Sequence, residues 1–349
     1  MAYTCTPNIP LPEALFERGA GGVFLGWGNP VHSQRCLPGR VTGGHGLAML
    51  LYRIGLRTKC AAMALLPMAL TLLGACHMLA HLRKEGQPMK WCRFRVGDTI
   101  SYGLVEDEAR VTAVAGSPFA TYTVTATTYP LSAVKLLVPV IPPTFYAGGL
   151  NYPEHVKWWA QYSGLKLRPL TEPGIGYRTT NALIAHEETI VKPKDASDEF
   201  QVEGELVAVI GKQARNLTPE NALSCVLGYT IGNDVSQRTW QIQDGSLWRA
   251  KNADTFKPMG PWIATDLDPN NLETTVRING QVQIQFNTRH MLFNAASHIA
   301  KISRYSTLHP GDVVWLGAEG ATPNMRPGDV VEIEISGIGT LRNYVAAAE

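Results

Sequence analysis

Phe200-Gln-Val-Glu-Gly-Glu-Leu-Val-Ala-Val-Ile-Gly211 is an apolar, β-branched run with two acids set into its start. Such a run reads as a strand. Strand side chains alternate between faces, so Glu203 and Glu205 project from one face, close together. Two acids aimed the same way repel unless a cation or a proton lies between them. The Leu206 to Ile210 run reads as buried, so the pair stands where the chain enters the core. Further on, Val226-Leu-Gly-Tyr-Thr-Ile-Gly-Asn-Asp234 again runs apolar into a Gly-Asn turn and delivers a third acid, Asp234, at a strand end. Three carboxylates on strand ends make a hard oxygen site suited to Mg²⁺, Mn²⁺ or Ca²⁺. E-x-E is a weak pattern, and a solvated edge strand carrying two surface glutamates fits it equally.

Outward from this centre the composition is globular: 349 residues, 45% apolar and 17% charged, enough for one large or two ordinary domains. The net charge of +2 conceals an asymmetry. Residues 1–88 hold eight Lys/Arg against three Asp/Glu, so they carry +5 and the remainder −3. Neither part has the basic surplus of a nucleic-acid binder. Four of the six cysteines (Cys5, Cys36, Cys60, Cys76) fall in the first quarter, leaving Cys92 and Cys225 for the rest. No spacing resembles CxxC, which points to a reduced, cytoplasmic protein rather than a disulfide framework. Residues 61–82 are nearly continuous apolar and long enough to cross a bilayer, yet Pro67, Gly74, His77 and His81 interrupt them. Basic residues on both sides give no orientation. At Met89 the chain changes abruptly to MKWCRFRVGDTISYGLVEDEARVTAV, with the alternation and turns of a folded β domain. Residues 1–88 therefore read as an unplaced N-terminal extension, with translation expected to start at Met89 in preference to a membrane anchor.

Residues 89–142 read as a small β domain. Ile100 to Val105 and Arg110 to Val114 are strands joined by the acidic turn Glu106-Asp107-Glu108, and Pro139-Val-Ile-Pro-Pro143 is a rigid connector. The second domain, 143–349, opens on Phe145-Tyr-Ala-Gly-Gly-Leu-Asn-Tyr152, a strand ending in a loop. Pro153 to Ala160 reads as a short helix with Pro in its first turn and His155 near its start. Thr218-Pro-Glu-Asn-Ala-Leu223 offers an N-cap, Pro at N1 and a first-turn acid, which predicts a helix. Asn279-Gly280 between alternating strands predicts a type I′ hairpin. His298 to Tyr305 reads as helical. Pro-Gly-Asp-Val-Val occurs at 310–314 and 327–331, each a turn feeding a strand. The class is α+β, predominantly β.

Past Asp234 come Arg238, Gln241 and then Lys251-Asn-Ala-Asp-Thr-Phe-Lys-Pro-Met-Gly-Pro261. GLNYPEH, the E-G-E strand ending in VIGK, GYTIGNDVSQR, KNADTFKPMGP and VEIEISGIGTLRN, in this order, resemble the fumarylacetoacetate hydrolase family over residues 143–347. Residues 89–142 resemble the small N-terminal domain of its bacterial members. The resemblance implies a mixed β-sandwich roll, a homodimer, and Mg²⁺ or Mn²⁺ on Glu203, Glu205 and Asp234. It implies hydrolysis of a C–C bond in a 1,3-dicarbonyl, acylpyruvate-like acid; isomerisation or decarboxylation of an enolisable oxo diacid is the alternative. Lys251 and Arg238 would then donate where negative charge develops, Gln241 would orient the substrate, and His155 would be the general base. The tryptophans Trp158, Trp159, Trp240 and Trp248 read as packing. Two departures stand out. A lid glutamate that activates water in some members falls here on Trp158, and a substrate-touching threonine falls on Ala318. Glu154, Glu187 and Glu319 are the acids available to replace the first. A third reading is a binding module for a small oxo acid, its catalysis decayed.

Overall fold

The computed structural model describes residues 88–320 and 324–349. The readings made on 1–87, including the apolar run 61–82, lie outside them. Among the described residues no helix is long and apolar enough to cross a membrane, and Cys92 and Cys225 are free and buried.

The small domain is a meander of β1 (Lys90–Val96), β2 (Thr99–Glu106), β3 (Arg110–Gly116) and β4 (Tyr122–Pro130). The acidic turn closes β2 onto β3 with Glu106 opposite Arg110. β1 adds to the sheet of the second domain, Lys90 facing Ala264 and Trp91 facing Ile263. The connector around Pro139 thus joins two parts of one sheet.

The second domain runs β5 (Phe145–Gly148), α1 (Pro153–Ser163), β6 (Gly204–Ile210), β7 (Val226–Asn233), α2 (Arg238–Gln243), α3 (Trp248–Asn252) and β8 (Lys257–Ala264). It continues with β9 (Glu273–Ile278), β10 (Gln281–Asn287), α4 (Ala295–Tyr305), β11 (Val313–Trp315), β12 (Val330–Ile335) and β13 (Gly339–Ala347). One long mixed sheet is ordered β4-β3-β2-β1-β8-β7-β6-β11-β5 and ends on the short strand Ile175–Tyr177. A second sheet, β10-β9-β12-β13 plus Thr189–Lys192, packs over it.

Strand β6 is a central strand of the long sheet and is buried along its whole length. Leu206, Ala208 and Ile210 join the apolar cluster that holds Val276 and Ile333 of the second sheet, while Val207 and Val209 join the cluster around Trp315 and Met259. Alternation places Gly204 on the first of these faces and the two glutamates on the other. The glycine between them is a packing requirement: a Cβ there would come within 3.0 Å of Val276 and of Ile333. The acids are therefore in the interior, and the solvated-edge reading of E-G-E is excluded.

Local turn chemistry behaves as the sequence predicts. Asn279 and Gly280 have φ of 52° and 74°, the two left-handed residues a type I′ turn requires, and Ile278 pairs with Gln281. Gly311 and Gly328, with φ of 90° and 97°, turn the two Pro-Gly-Asp-Val-Val segments into β11 and β12. The helix predicted from Thr218 is absent. Asn221 Oδ1 accepts from the Thr218 amide at 2.9 Å, closing a turn, and only a 3₁₀ turn, Ala222–Cys225, follows. β7 begins at Val226, so a second α turn has no room.

Asp234 is aimed by the last residues of β7. A Cβ on Gly232 would lie 2.6 Å from the ring of Trp315, which is fully buried and cannot retreat. Gly232→Ala is expected to cost about 1–3 kcal/mol by overpacking and to weaken divalent-ion binding by displacing Asp234. Thermal melting and a Mn²⁺ titration check this; an unchanged melting temperature would show that the ring yields.

Candidate active site

Glu203, Glu205 and Asp234 are brought together by the register of β6 and β7, in which Gly204 faces Asn233. The Asp234 amide donates to Glu203 O at 2.9 Å, and Asn233 Oδ1 accepts from the Glu203 amide at 3.0 Å. One oxygen from each carboxylate lies within 4.8 Å of the others, and all three residues are buried.

Cations surround the cluster. Arg178 grips Asp234 through two bonds, Nε to Oδ1 and Nη2 to Oδ2, both 2.9 Å. Lys257 Nζ lies 2.8 Å from Asp234 Oδ1 and also donates to the carbonyls of Val235 and Phe256. Lys251 Nζ bridges the cluster, donating to Glu203 Oε2 and, at 2.8 Å, to Asp234 Oδ2. Arg238 donates from Nη2 to Glu203 Oε1, and Ser236 Oγ donates to Glu203 Oε2 at 3.1 Å. Four basic side chains thus offset the repulsion of the three acids, and two of them, Arg178 and Lys257, the sequence reading did not single out.

These contacts separate the three acids electrostatically. Burial would raise Glu203, but Arg238 and Lys251 outweigh it and hold it at about 2. Burial works the same way on Asp234, and Arg178, Lys251 and Lys257 hold it well below the usual range. Lys251 lowers Glu205 as well, but it does not outweigh what raises it. Burial, and then the charges of Asp234 and Glu203, push it up to about 8, although its Oε2 accepts from the Gly317 amide at 2.7 Å. Lys257 is pushed down to about 7 by burial. The set of hard oxygen donors, with one acid lacking a cation of its own, fits a divalent ion.

The other predicted residues reach the same place by different routes. His155, on the first turn of α1, is buried beside Glu203, Nε2 lying 3.6 Å from Oε1. Its Nδ1 is 2.9 Å from Ala318 O, a carbonyl that can only accept, so Nδ1 carries the proton and Nε2 is free. Burial lowers its pKa, favouring the neutral imidazole. Arg238 was expected to face the substrate. Instead it is 1% exposed, and its three nitrogens donate to Gln201, Gln241 and Glu203. Gln241 is tied to it through Oε1 and still lines the cavity.

A cavity of about 270 Å³ lies against the acids, lined among others by His155, Arg178, Gln241 and Lys251. Trp158, which stands where the lid acid would be, lies over the Arg238 guanidinium at 4.7 Å and stacks on Tyr162. Trp248 does not pack; it is 66% exposed. Of the three substitute acids, Glu154 is exposed and paired with Lys157, and Glu187 is paired with Arg342. Glu319 is half-buried, and one of its carboxylate oxygens is buried without a hydrogen-bond partner.

Residues 144–346 match the family model described as fumarylacetoacetate (FAA) hydrolase C-terminal, and residues 89–139 match that described as Rv2993c-like, N-terminal. Protein Rv2993c of Mycobacterium tuberculosis is 37% identical over 266 residues, covering 74% of this chain and 98% of the relative. The mitochondrial oxaloacetate tautomerase Fahd2a of Rattus norvegicus is 32% identical over 228 residues, 62% of this chain and 71% of its own. The crystal structure of 2-hydroxyhepta-2,4-diene-1,7-dioate isomerase from Mycobacterium marinum is 34% identical, with a TM-score of 0.67 over 74% of this chain and 98% of that one.

Glu205→Gln keeps the shape of a protonated carboxyl while removing its charge. Without divalent ions the variant is expected to melt close to the wild type. Added Mn²⁺ should stabilise the wild type by about 2.7 kcal/mol at roughly a hundred-fold excess over its Kd, and the variant far less. Equal responses of the two proteins in a thermal-shift titration would retire the metal site.

Proposed function

The chain belongs to the fumarylacetoacetate hydrolase family, and from that membership and the site we propose that it moves a proton between the keto and enol forms of a small oxo diacid. The observation that carries this choice is the support of His155. Its Nδ1 rests on the carbonyl of Ala318, and the acids lining the cavity are the three of the cluster. An imidazole oriented by a neutral carbonyl lacks the carboxylate partner that strengthens a base towards water. It suffices for a carbon or enol proton already made acidic.

Glu203, Glu205 and Asp234 would hold Mg²⁺ or Mn²⁺, which when bound supplies Lewis-acid polarisation of the substrate's oxygens. His155 Nε2 takes the proton at one position and returns it at another. The Lys251 ammonium, already between Glu203 and Asp234, faces the cavity and binds a substrate oxygen as negative charge develops there. Arg178 stands at the cavity wall, where its charge favours a carboxylate. Arg238 acts indirectly, holding Glu203 and Gln241 in place. A cavity of about 270 Å³ suits a short-chain acid.

Carbon–carbon hydrolysis is the second reading. It rests on the same chelating acids and requires His155 to activate water without a carboxylate behind it. Absorbance of the enol separates the readings when a panel of oxo diacids and acylpyruvates is offered with Mg²⁺ or Mn²⁺. Faster keto–enol interconversion without release of a cleaved acid is expected. Stoichiometric cleavage at comparable rates would put hydrolysis first. In the same assay His155→Ala should lower kcat by about 10²–10⁴ and leave the Mn²⁺ thermal shift intact; an unchanged kcat would remove His155 from the chemistry.

A further inference from the structure

The cavity against the acids changes character along both helices that enter it. Residues four apart on a helix share a face. On α1, His155 and Trp159 stand one turn apart, and both line the cavity. At the start of α3 the Lys251 amide donates to Leu247 O at 3.1 Å, again one turn, and both residues line the cavity. In each pair one member is basic and touches the cluster. His155 Nε2 is 3.6 Å from Glu203 Oε1, and Lys251 Nζ is 2.8 Å from Asp234 Oδ2. The other member is apolar. Together with Leu150, Trp159 and Leu247 add an apolar wall to a cavity whose remaining sides include the acids, Arg178 and Gln241.

Both wall residues are half-buried and held in place. Trp159 packs against Trp158 and Tyr162, with ring centroids 6.1 and 5.8 Å apart. Tyr162 is itself tied through its hydroxyl to Glu199 at 2.6 Å. Leu247 has φ of 59° and ψ of 23°, a left-handed conformation that a bulky residue adopts only under constraint. The constraint is a set of hydrogen bonds on both sides. Leu247 N donates to Asp244 O at 3.1 Å, and Leu247 O also accepts from Asn252 Nδ2 at 3.0 Å. Asp244 Oδ2 in turn accepts from the amides of Arg249 and Ala250 at 3.2 and 2.9 Å. A glycine would take this conformation without strain. What it would not supply is the side chain, which is one of the apolar groups in the cavity.

Carbon placed against such a wall leaves water at a gain, whereas a hydroxyl or a further carboxylate there would lose hydration without gaining a partner. We propose that Leu247 and Trp159 are specificity-determining residues, and that the preferred substrate is an oxo diacid bearing a short alkyl branch. The branch lies against these two side chains while the oxygens face the acid cluster. This rests on the reaction proposed above, and one arm of its test needs no turnover.

Binding of malonate, methylmalonate and propylmalonate to the full chain is measured by equilibrium dialysis at saturating Mn²⁺. Turnover is measured with a four-carbon 2-oxo diacid and its 3-methyl and 3-propyl derivatives. The wild type should bind the malonates about four-fold more tightly per added carbon, and kcat/KM of the oxo diacids should climb in step. Leu247→Gly keeps the backbone turn and should reduce the gap between propyl and parent compounds to less than about ten-fold. Leu247→Met, apolar and of similar volume, should restore it. Trp159→Ala should act as Leu247→Gly does. A flat or unmeasurable malonate series in the wild type would overturn the proposal, as would a gradient that Leu247→Gly and Trp159→Ala both leave intact. Oxo diacids turned over without a gradient would leave the proposed function standing and remove the specificity assignment. If the wild type turns over none of them, the proposed function fails while the malonate series still decides the wall.

Discussion

Three carboxylates share a buried volume in which their donor atoms lie within 4.8 Å of one another, and the surroundings offset the cost of that arrangement. Isolated charges do not survive in a protein interior; they are paired or they neutralise. Both outcomes occur here. Glu203 and Asp234 stay ionised because Arg178, Arg238, Lys251 and Lys257 press against them. Glu205 is left with one backbone amide and is driven up to about 8, by burial above all. Losing one member of a buried pair typically costs about 3–5 kcal/mol, so the cations are as much part of the fold as of the site. They arrive from four places: the end of the edge strand Ile175–Tyr177, the first turn of α2, the end of α3 and the start of β8. The packing of the long sheet and two helices is thereby coupled to one cluster.

What the sequence made legible was local or periodic. The alternation of β6 placed two acids on one face, and the glycine between them answers to Val276 and Ile333 across the sandwich. Asn279-Gly280 and the two Pro-Gly-Asp-Val-Val turns require backbone conformations that few other residues supply. Arg178 was not legible, since it follows a polar stretch without period and meets Asp234 only through the pairing of its strand with β5. Lys257 lay inside a recognised motif, but nothing local says that a lysine will be fully buried. The helix expected from Thr218 failed because capping preference is weak where the next strand leaves no room. Arg238 was read as a substrate ligand, and it is instead enclosed by Trp158, Gln201, Gln241 and Glu203.

His155 and the acids are held by different means. The acids sit on the ends of central strands, where displacement is resisted by core packing on both faces. His155 sits on the first turn of an exposed helix, and its position depends on the strap Gly317-Ala318, which also touches Glu205. The same strap makes the placement of the acid cluster and of His155 interdependent.

Anomalous diffraction from crystals grown with Mn²⁺ tests the central claim, that the buried acid cluster is a divalent-ion site, most directly. The expected result is one strong peak about 2–2.5 Å from an oxygen of each of Glu203, Glu205 and Asp234. Density showing Lys251 Nζ alone between Glu203 and Asp234 at saturating Mn²⁺, with no peak beside Glu205, would contradict it.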